Sequence, residues 1–289
     1  MITLNPHDAY DVVVIGGGPA GATLATLLQQ NGHRCLVLES SAFPRYHIGE
    51  SLIPHTYGTF DRLGLLPRLQ ESDFPVKHSV RFVQAATTES TPFYFSETIE
   101  GDRSRTWQVE RSEFDEICIK NAQAAGADVR MQTRVRHVIF EDDRAIGVRT
   151  ENTDGETEEI AARVVVDASG RSTVLGRQLG LKIDVPGLNK ASIWTYFRGG
   201  HRNEGIDEGE TTIFVLPEDG WFWYIPLPHD EVSVGVVASP EYLFRDGPHF
   251  EGALAREIKS CEPLSKWLSN AEQIDEVRGI RKLCLLYTS

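Results

Sequence analysis

The chain has 289 residues, 40% of them hydrophobic and 25% charged, an ordinary globular composition long enough for one large or two modest domains. A formal net charge of -13 argues against nucleic acid and anionic membrane surfaces as partners. Met1–Tyr10 has no basic or apolar leader pattern, Val12–Leu28 is too broken by glycine and proline to span a membrane, and the 4 cysteines lack CxxC spacing. The reading is therefore a cytoplasmic protein without disulfides or a metal site.

In chain order, Asp11–Ile15 is a continuous β-branched run, as in a buried parallel strand. Gly16, Gly18 and Gly21 follow in a GxGxxG pattern, with Ala20 inside it, and a helix is predicted over Ala22–Gln30. Gly16 permits a tight turn, Gly18 lets a pyrophosphate approach the backbone, and Gly21 lets the helix lie close to the strand. The helix N-terminus then faces the anion. Arg34–Leu38 reads as a second strand closing at Glu39 and Ser40, and Glu39 stands near the roughly 20-residue spacing at which an acid holds a ribose. The pattern leaves FAD and NAD open, and no second GxGxxG marks a separate nicotinamide domain.

Further on, Lys77 is the first lysine of the chain, just before a strand predicted over Ser79–Gln84, and residues 79–97 read as a hairpin. "TWQVERSEFDEICIK" runs from a short strand into a helix beginning near Ser112, with Asp115 completing an imperfect capping box. Residues 134–166 alternate as a three-stranded meander, with turns at Glu141–Arg144 and Asp154–Gly155. Arg163–Ser172 reads as a buried strand ending in Asp167, Ala168, Ser169 and Gly170, at a carboxyl end where ligands bind in open sheets. Strands are predicted near Ala191–Arg198, Thr211–Leu216, Trp221–Pro226 and Val232–Ala238, then helix over residues 249–268 with a break at Pro263. In "GWFWYIPLP", strand alternation puts Trp221 and Trp223 on one face, two of the 5 tryptophans of the chain.

Together these segments resemble the class A flavoprotein monooxygenase fold over about residues 8–281. That is an α/β fold in which a Rossmann-like FAD domain carries a mixed, largely antiparallel substrate sheet. Two stretches narrow the resemblance to flavin-dependent halogenases of the phenol and pyrrole type. "FPRYHIGESLIP", Phe43–Pro54, looks like the segment that follows the ribose-binding acid in that family, and Trp221, Trp223, Ile225 and Pro226 match its WxWxIP signature. The resemblance implies FAD contacts from Gly16, Gly18, Ala20, Gly21, Glu39, Ser40, Arg45, Ile48, Gly49, Glu50, Ser51, Arg111, Asp167 and Gly170. It implies a catalytic role for Lys77, with Trp221, Trp223, Ile225 and Pro226 discouraging direct oxygen transfer to the substrate. It places the FAD domain at 1–78 and 102–182 and the substrate domain at 79–101 and 183–281.

The implied reaction uses FADH2 from a separate flavin reductase, O2, and chloride or bromide. The halide is oxidised to hypohalous acid and delivered through the lysine to a small aromatic substrate, free or tethered to a carrier protein. No general base is assigned, although His47, His78 and Glu50 are near in sequence. The family's third flavin motif, a Gly-Asp followed by a proline and a small-residue turn, does not occur in this chain. Cys284–Ser289 look like a translated sequencing adapter, so the chain reads as a truncated frame expected to bind FAD poorly and not to halogenate. The other readings are an aromatic hydroxylase or prenyl-chain reductase of the same fold, and an inactive flavin-binding fragment.

Overall fold

A computed structural model describes residues 9–84, 88–89, 91–181 and 189–283. The chain divides into two compact units, one of Met1–Ile48, Asp61–Arg68 and Arg111–Ile183, the other of Gly49–Phe60, Leu69–Glu110 and Asp184–Ser289. Cys284–Ser289 lie outside the described residues.

The first unit is built on a six-stranded sheet. Strands β1 (Tyr10–Ile15) and β2 (Cys35–Leu38) are parallel and joined by helix α1 (Pro19–Gln30). The helix starts at Pro19, three residues before the predicted Ala22, because Gly18 adopts the extended N-cap conformation and proline is preset for the first helical position. The meander is present as β9 (Arg134–Glu141), β10 (Arg144–Glu151) and β11 (Thr157–Asp167). Its third strand and the predicted 163–167 strand are one element. The first half of β11 pairs antiparallel with β10 and the second half runs parallel to β1. With β8 (Asp128–Arg130) the sheet order is β8-β2-β1-β11-β10-β9.

The end of β11 is not the fully buried strand expected, since Val164 is 52% exposed. Helix α1 packs on β1, on β2 and on α4 (Arg111–Ala124), so its cover falls on the β1–β2 side of the sheet. Helix α4 begins at Arg111 rather than Ser112. The buried carboxylate of Asp115 accepts from Arg111, one turn earlier on the helix. After β11, a short helix α5 (Val174–Gln178) packs on β9.

In the chain between, α2 (Tyr57–Leu63) and α3 (Leu66–Glu71) precede β3 (Val76–Lys77) and β4 (Ser79–Gln84), the latter with the predicted bounds. The expected hairpin is two short returns onto β4, by β5 (Thr88–Glu89) and β6 (Phe93–Tyr94). Strand β7 (Thr106–Trp107) pairs antiparallel with β3, opposing Thr106 to Lys77.

The second unit's large sheet adds β12 (Lys190–Arg198), β13 (Thr211–Val215), β14 (Trp221–Pro226), β15 (Glu231–Ala238), β16 (Glu272–Gln273) and β17 (Arg278–Leu283). Its order is β16-β12-β15-β14-β13-β4-β5, with β17 beside β12 and β6 beside β4. One face buries Ile193, Val236, Phe222, Phe214 and Val83 in a row, beneath α6 (Pro240–Leu243), α7 (Phe250–Ser260) and α8 (Glu262–Trp267). The helical break falls at Cys261, and Pro263 sits in the first turn of α8, where it needs no backbone donor.

Helix α1 and the turn before it are fitted closer than a side chain allows. A Cβ at Gly21 would lie 1.9 Å from the carbonyl oxygen of Gly16, a backbone atom that cannot swing aside. Gly21→Ala is therefore expected to cost about 1–3 kcal/mol of unfolding free energy in urea titration.

Candidate functional site

At the carboxyl ends of β1, β2 and β11 the first unit holds a cleft of about 1080 Å³. Gly16, Gly18, Ala20, Glu39, Ser40, Arg45, Arg111 and Gly170 line it. Gly16 makes the turn with φ 103°, and a Cβ at Gly18 would meet only Arg45, at 3.5 Å. The bare Gly18 backbone thus leaves a cradle at the start of α1, whose N-terminal amides favour an anion.

The acid end of the cleft is tightly organised. Glu39 is 5% exposed and accepts from the amides of Gly17 at 2.8 Å and Ser41 at 2.9 Å. Arg45 stands 3.6 Å from Glu39 and 3.3 Å from Asp115. Arg111 forks onto the same Asp115, with Nε at 2.8 Å and Nη2 at 3.0 Å, and also donates to the Ile48 carbonyl at 2.9 Å. The two guanidiniums balance the carboxylates of Asp115 and Glu39, and both arginines line the cleft, where their remaining N–H groups suit a pyrophosphate. Burial, with the nearby arginines, pushes the His47 imidazole below its ordinary pKa. Sequence reading treated Asp115 as a cap. Its i, i+4 spacing from Arg111 was the signal of a pair.

Asp167 does not line the cleft. Its carboxylate accepts from the Ser169 amide at 3.0 Å, the Ser169 hydroxyl at 2.5 Å and the Leu175 amide at 2.8 Å, so it shapes the turn that presents Ala168, Ser169 and Gly170. Gly21 underlies the turn as a packing residue. The Phe43–Pro54 segment divides: Arg45, Tyr46 and His47 line the cleft, whereas Gly49, Glu50 and Ser51 belong to the second unit. Gly49 turns the chain there with φ 114°.

In that second unit Lys77 is 4% exposed. Its ammonium donates to Ser51 Oγ at 2.8 Å and to the Leu52 carbonyl at 3.4 Å, and it stands 5.5 Å from the centre of the Phe95 ring. Burial lowers its pKa from 10.5 to about 8. Beside it, the buried Glu50 accepts from Tyr196 Oη at 2.6 Å.

Trp221 and Trp223 share the face of β14 opposite the buried Phe222 and Tyr224. Trp221 is 39% exposed. Trp223 lies across Gly235 of β15: a Cβ there would fall 2.2 Å from the indole. Its Nε1 donates to Ser233 Oγ at 3.1 Å, and its ring tilts against Trp194, 6.4 Å between centres. Ile225 is buried on the same face. Pro226 ends the strand opposite Val232, where a missing donor is tolerated. Gly235 escaped sequence reading because a strand glycine carries no local mark of what lies over it.

Among the described residues, no cluster of three or more His, Cys, Asp and Glu could hold a metal, and no helix is long and apolar enough to cross a membrane. A glycine turn, a helix N-terminus, a cation pair and an acid converging on one cleft define the first unit as a dinucleotide-binding domain. The FAD binding domain family matches residues 9–213. The 1H-pyrrole-2-carbonyl peptidyl-carrier-protein chlorinase of Pseudomonas fluorescens is 31% identical, over 97% of this chain and 68% of its own length. Tryptophan 2-halogenase of Chondromyces crocatus is 33% identical, over 81% of this chain and 44% of its own. The solved myxobacterial chondrochloren halogenase superposes with a TM-score of 0.89 at 36% identity, over 95% of this chain and 64% of that one. The chain belongs to the flavin-dependent halogenases, and it spans only part of the length of these relatives.

Two predictions follow from this geometry. The folded pKa of Lys77 lies below its unfolded value, so the unfolded state holds the extra proton between about pH 8 and 10.5. Stability should therefore rise across that window, relative to Lys77→Met, by on the order of 1–3 kcal/mol in denaturant titrations. Gly235→Ala should dislodge Trp223, shifting the tryptophan emission and near-UV dichroism and costing about 1–3 kcal/mol.

Proposed function

We propose that this chain carries the FAD site and the lysine of a halogenase acting on an electron-rich ring, a phenol or a pyrrole. The observation that carries the reading is a lysine 4% exposed, with its pKa lowered to about 8 and held by a serine hydroxyl, in a chain that belongs to the halogenases. Gly16, Gly18, Ala20 and the start of α1, with Arg45 and Arg111, would receive the pyrophosphate, and Glu39 with Ser40 the ribose. Gly21 and Asp167 would hold the turns in place, and Gly170 would leave the cleft open. Ile48, Gly49, Glu50 and Ser51 would link the cofactor-holding segment to the lysine.

Bound FAD, reduced and met by O2, supplies the oxidising equivalent that converts chloride or bromide to hypohalous acid. As ammonium, Lys77 donates a hydrogen bond to that acid. As free amine, its nitrogen takes the halogen, and the departing hydroxide leaves as water with the amine's proton. The ring carbon then takes the halogen, and the ring proton returns to the amine. A pKa near 8 keeps both forms of Lys77 available at neutral to mildly basic pH. Trp221, Trp223, Ile225 and Pro226 would keep the ring from direct oxygen transfer. A flavin reductase in the cytoplasm is the proposed source of reduced cofactor. The carrier-protein chlorinase among the relatives supports a carrier-tethered pyrrole as one substrate class.

The test supplies this chain, extended to the length of its relatives, with a flavin reductase, NADH, FAD, O2, chloride or bromide, and phenols or pyrroles, free and carrier-loaded. Mass spectrometry should find halogenated ring. Lys77→Ala should lower the yield at least 100-fold with FAD affinity unchanged. A hydroxylated product, or halogenation undiminished in Lys77→Ala, overturns the proposal. Asp115→Asn, measured by flavin fluorescence, should weaken FAD binding roughly 10-fold by loosening Arg45 and Arg111.

A further inference from the structure

Lys77 sits at one end of a buried hydrogen-bond chain whose other end is Gln108. Lys77 Nζ donates to Ser51 Oγ at 2.8 Å, Ser51 Oγ and Thr211 Oγ1 are 2.9 Å apart, and Gln108 Nε2 donates to Thr211 Oγ1 at 2.8 Å. The second N–H of Gln108 goes to the Gly209 carbonyl at 2.9 Å, so both of its donors are committed and the amide cannot flip. The side chain is 0% exposed, and its Oε1 finds no partner among the described residues. An orphaned buried oxygen is a cost that an aliphatic residue would avoid. The amide is retained in spite of it, which points to its two donors.

Both ends of the chain donate inward. Ser51 and Thr211 bring two hydroxyl hydrogens and share one bond, so one hydrogen remains free to turn outward. With Thr211 as its neighbour, Ser51 can send its hydrogen there and keep its lone pairs toward Lys77. Without the Thr211 oxygen, that hydrogen is released toward the amine and favours its neutral form.

We propose that Gln108 and Thr211 are positioning residues for Lys77, holding Ser51 as the acceptor of its ammonium through a chain anchored at the Gly209 carbonyl. The inference rests on the reading of Lys77 as the catalytic lysine, and it adds the residues that set its protonation. The other titratable and charged groups around it have their own partners or stand beside it in sequence. Glu50 accepts from Tyr196, and Glu210 accepts from Arg81, Ser79 and Asn203. Asp207 accepts from Tyr94 and Ser79. His78 adjoins Lys77, and Arg105 adjoins Thr106, the residue opposite Lys77.

The experiment is competitive acylation of the 289-residue chain across pH 6–11, with the Lys77 peptide quantified by mass spectrometry. It needs neither cofactor nor substrate. Thr211→Val should lower the Lys77 midpoint by roughly 0.5–1 pH unit, whereas Thr211→Ser, which keeps the hydroxyl, should restore the wild-type value. Gln108→Glu, which places a carboxylate at the far end, should raise the midpoint. Circular dichroism identifies folded variants, and if Thr211→Val does not fold, Gln108→Glu carries the test. A midpoint unmoved in folded variants, equal shifts in the two Thr211 variants, or a fall in Gln108→Glu overturns the positioning role. Such a result leaves the halogenase reading standing. A failure of the longer protein to halogenate, with the predicted shifts present, would do the reverse.

Discussion

A Cβ at Gly21 would sit 1.9 Å from the Gly16 carbonyl, so the first turn of α1 can rest on the end of β1 only because that atom is missing. The cleft depends on this contact. It sets the helix N-terminus at the sheet's carboxyl edge and brings Gly18 beside Arg45, within reach of Glu39. The second unit uses the same steric device where Gly235 lets the Trp223 indole cross β15, tilted against Trp194. Each contact trades the conformational cost of glycine for a surface on which a large flat group can rest.

Charge is handled by enclosure rather than by exposed pairing. In the first unit Asp115, buried in α4, holds two arginines at once, which fixes them at the cleft, with Glu39 as the second balancing carboxylate. In the second unit Lys77 is enclosed with neutral hydroxyl, carbonyl and amide groups, so desolvation lowers its pKa with little to oppose it. A carboxylate directly on Lys77 would cancel that effect, and the nearby acids, Glu50 and Glu210, are occupied by Tyr196 and Arg81. An amine that is partly neutral at working pH can take up an electrophilic halogen, which a fully protonated surface lysine cannot.

The strand elements were largely legible in sequence, and β4 and β14 have the predicted bounds. These strands are long, β-branched or aromatic, and bounded by glycine or proline, so their periodicity reports their burial directly. The short elements were not: α2, α3, β8 and β16 span too few residues to show a period. Val164 was misplaced because an apolar run says that a strand can be covered on both faces, not that a helix reaches it. Asp115 was taken for a cap because it stands three residues after Ser112, whereas its partner is Arg111, four residues before it, joined by Arg45 from a distant segment.

The sequence by itself determined the dinucleotide-binding turn, the acid after β2 and the aromatic strand, local patterns in which residue type and spacing carry the chemistry, while the candidacy of Lys77 came from the family resemblance. Only the tertiary structure decided that Lys77 is enclosed, that Glu50 and Ser51 stand with it rather than on the cleft lining, and that Gln108 and Thr211 complete its surroundings. Ser51 and Thr211 are separated by 160 residues, and no periodicity links positions so far apart. Their meeting runs through Gln108, which bridges Ser51 along the backbone and holds Gly209 and Thr211 with its side chain.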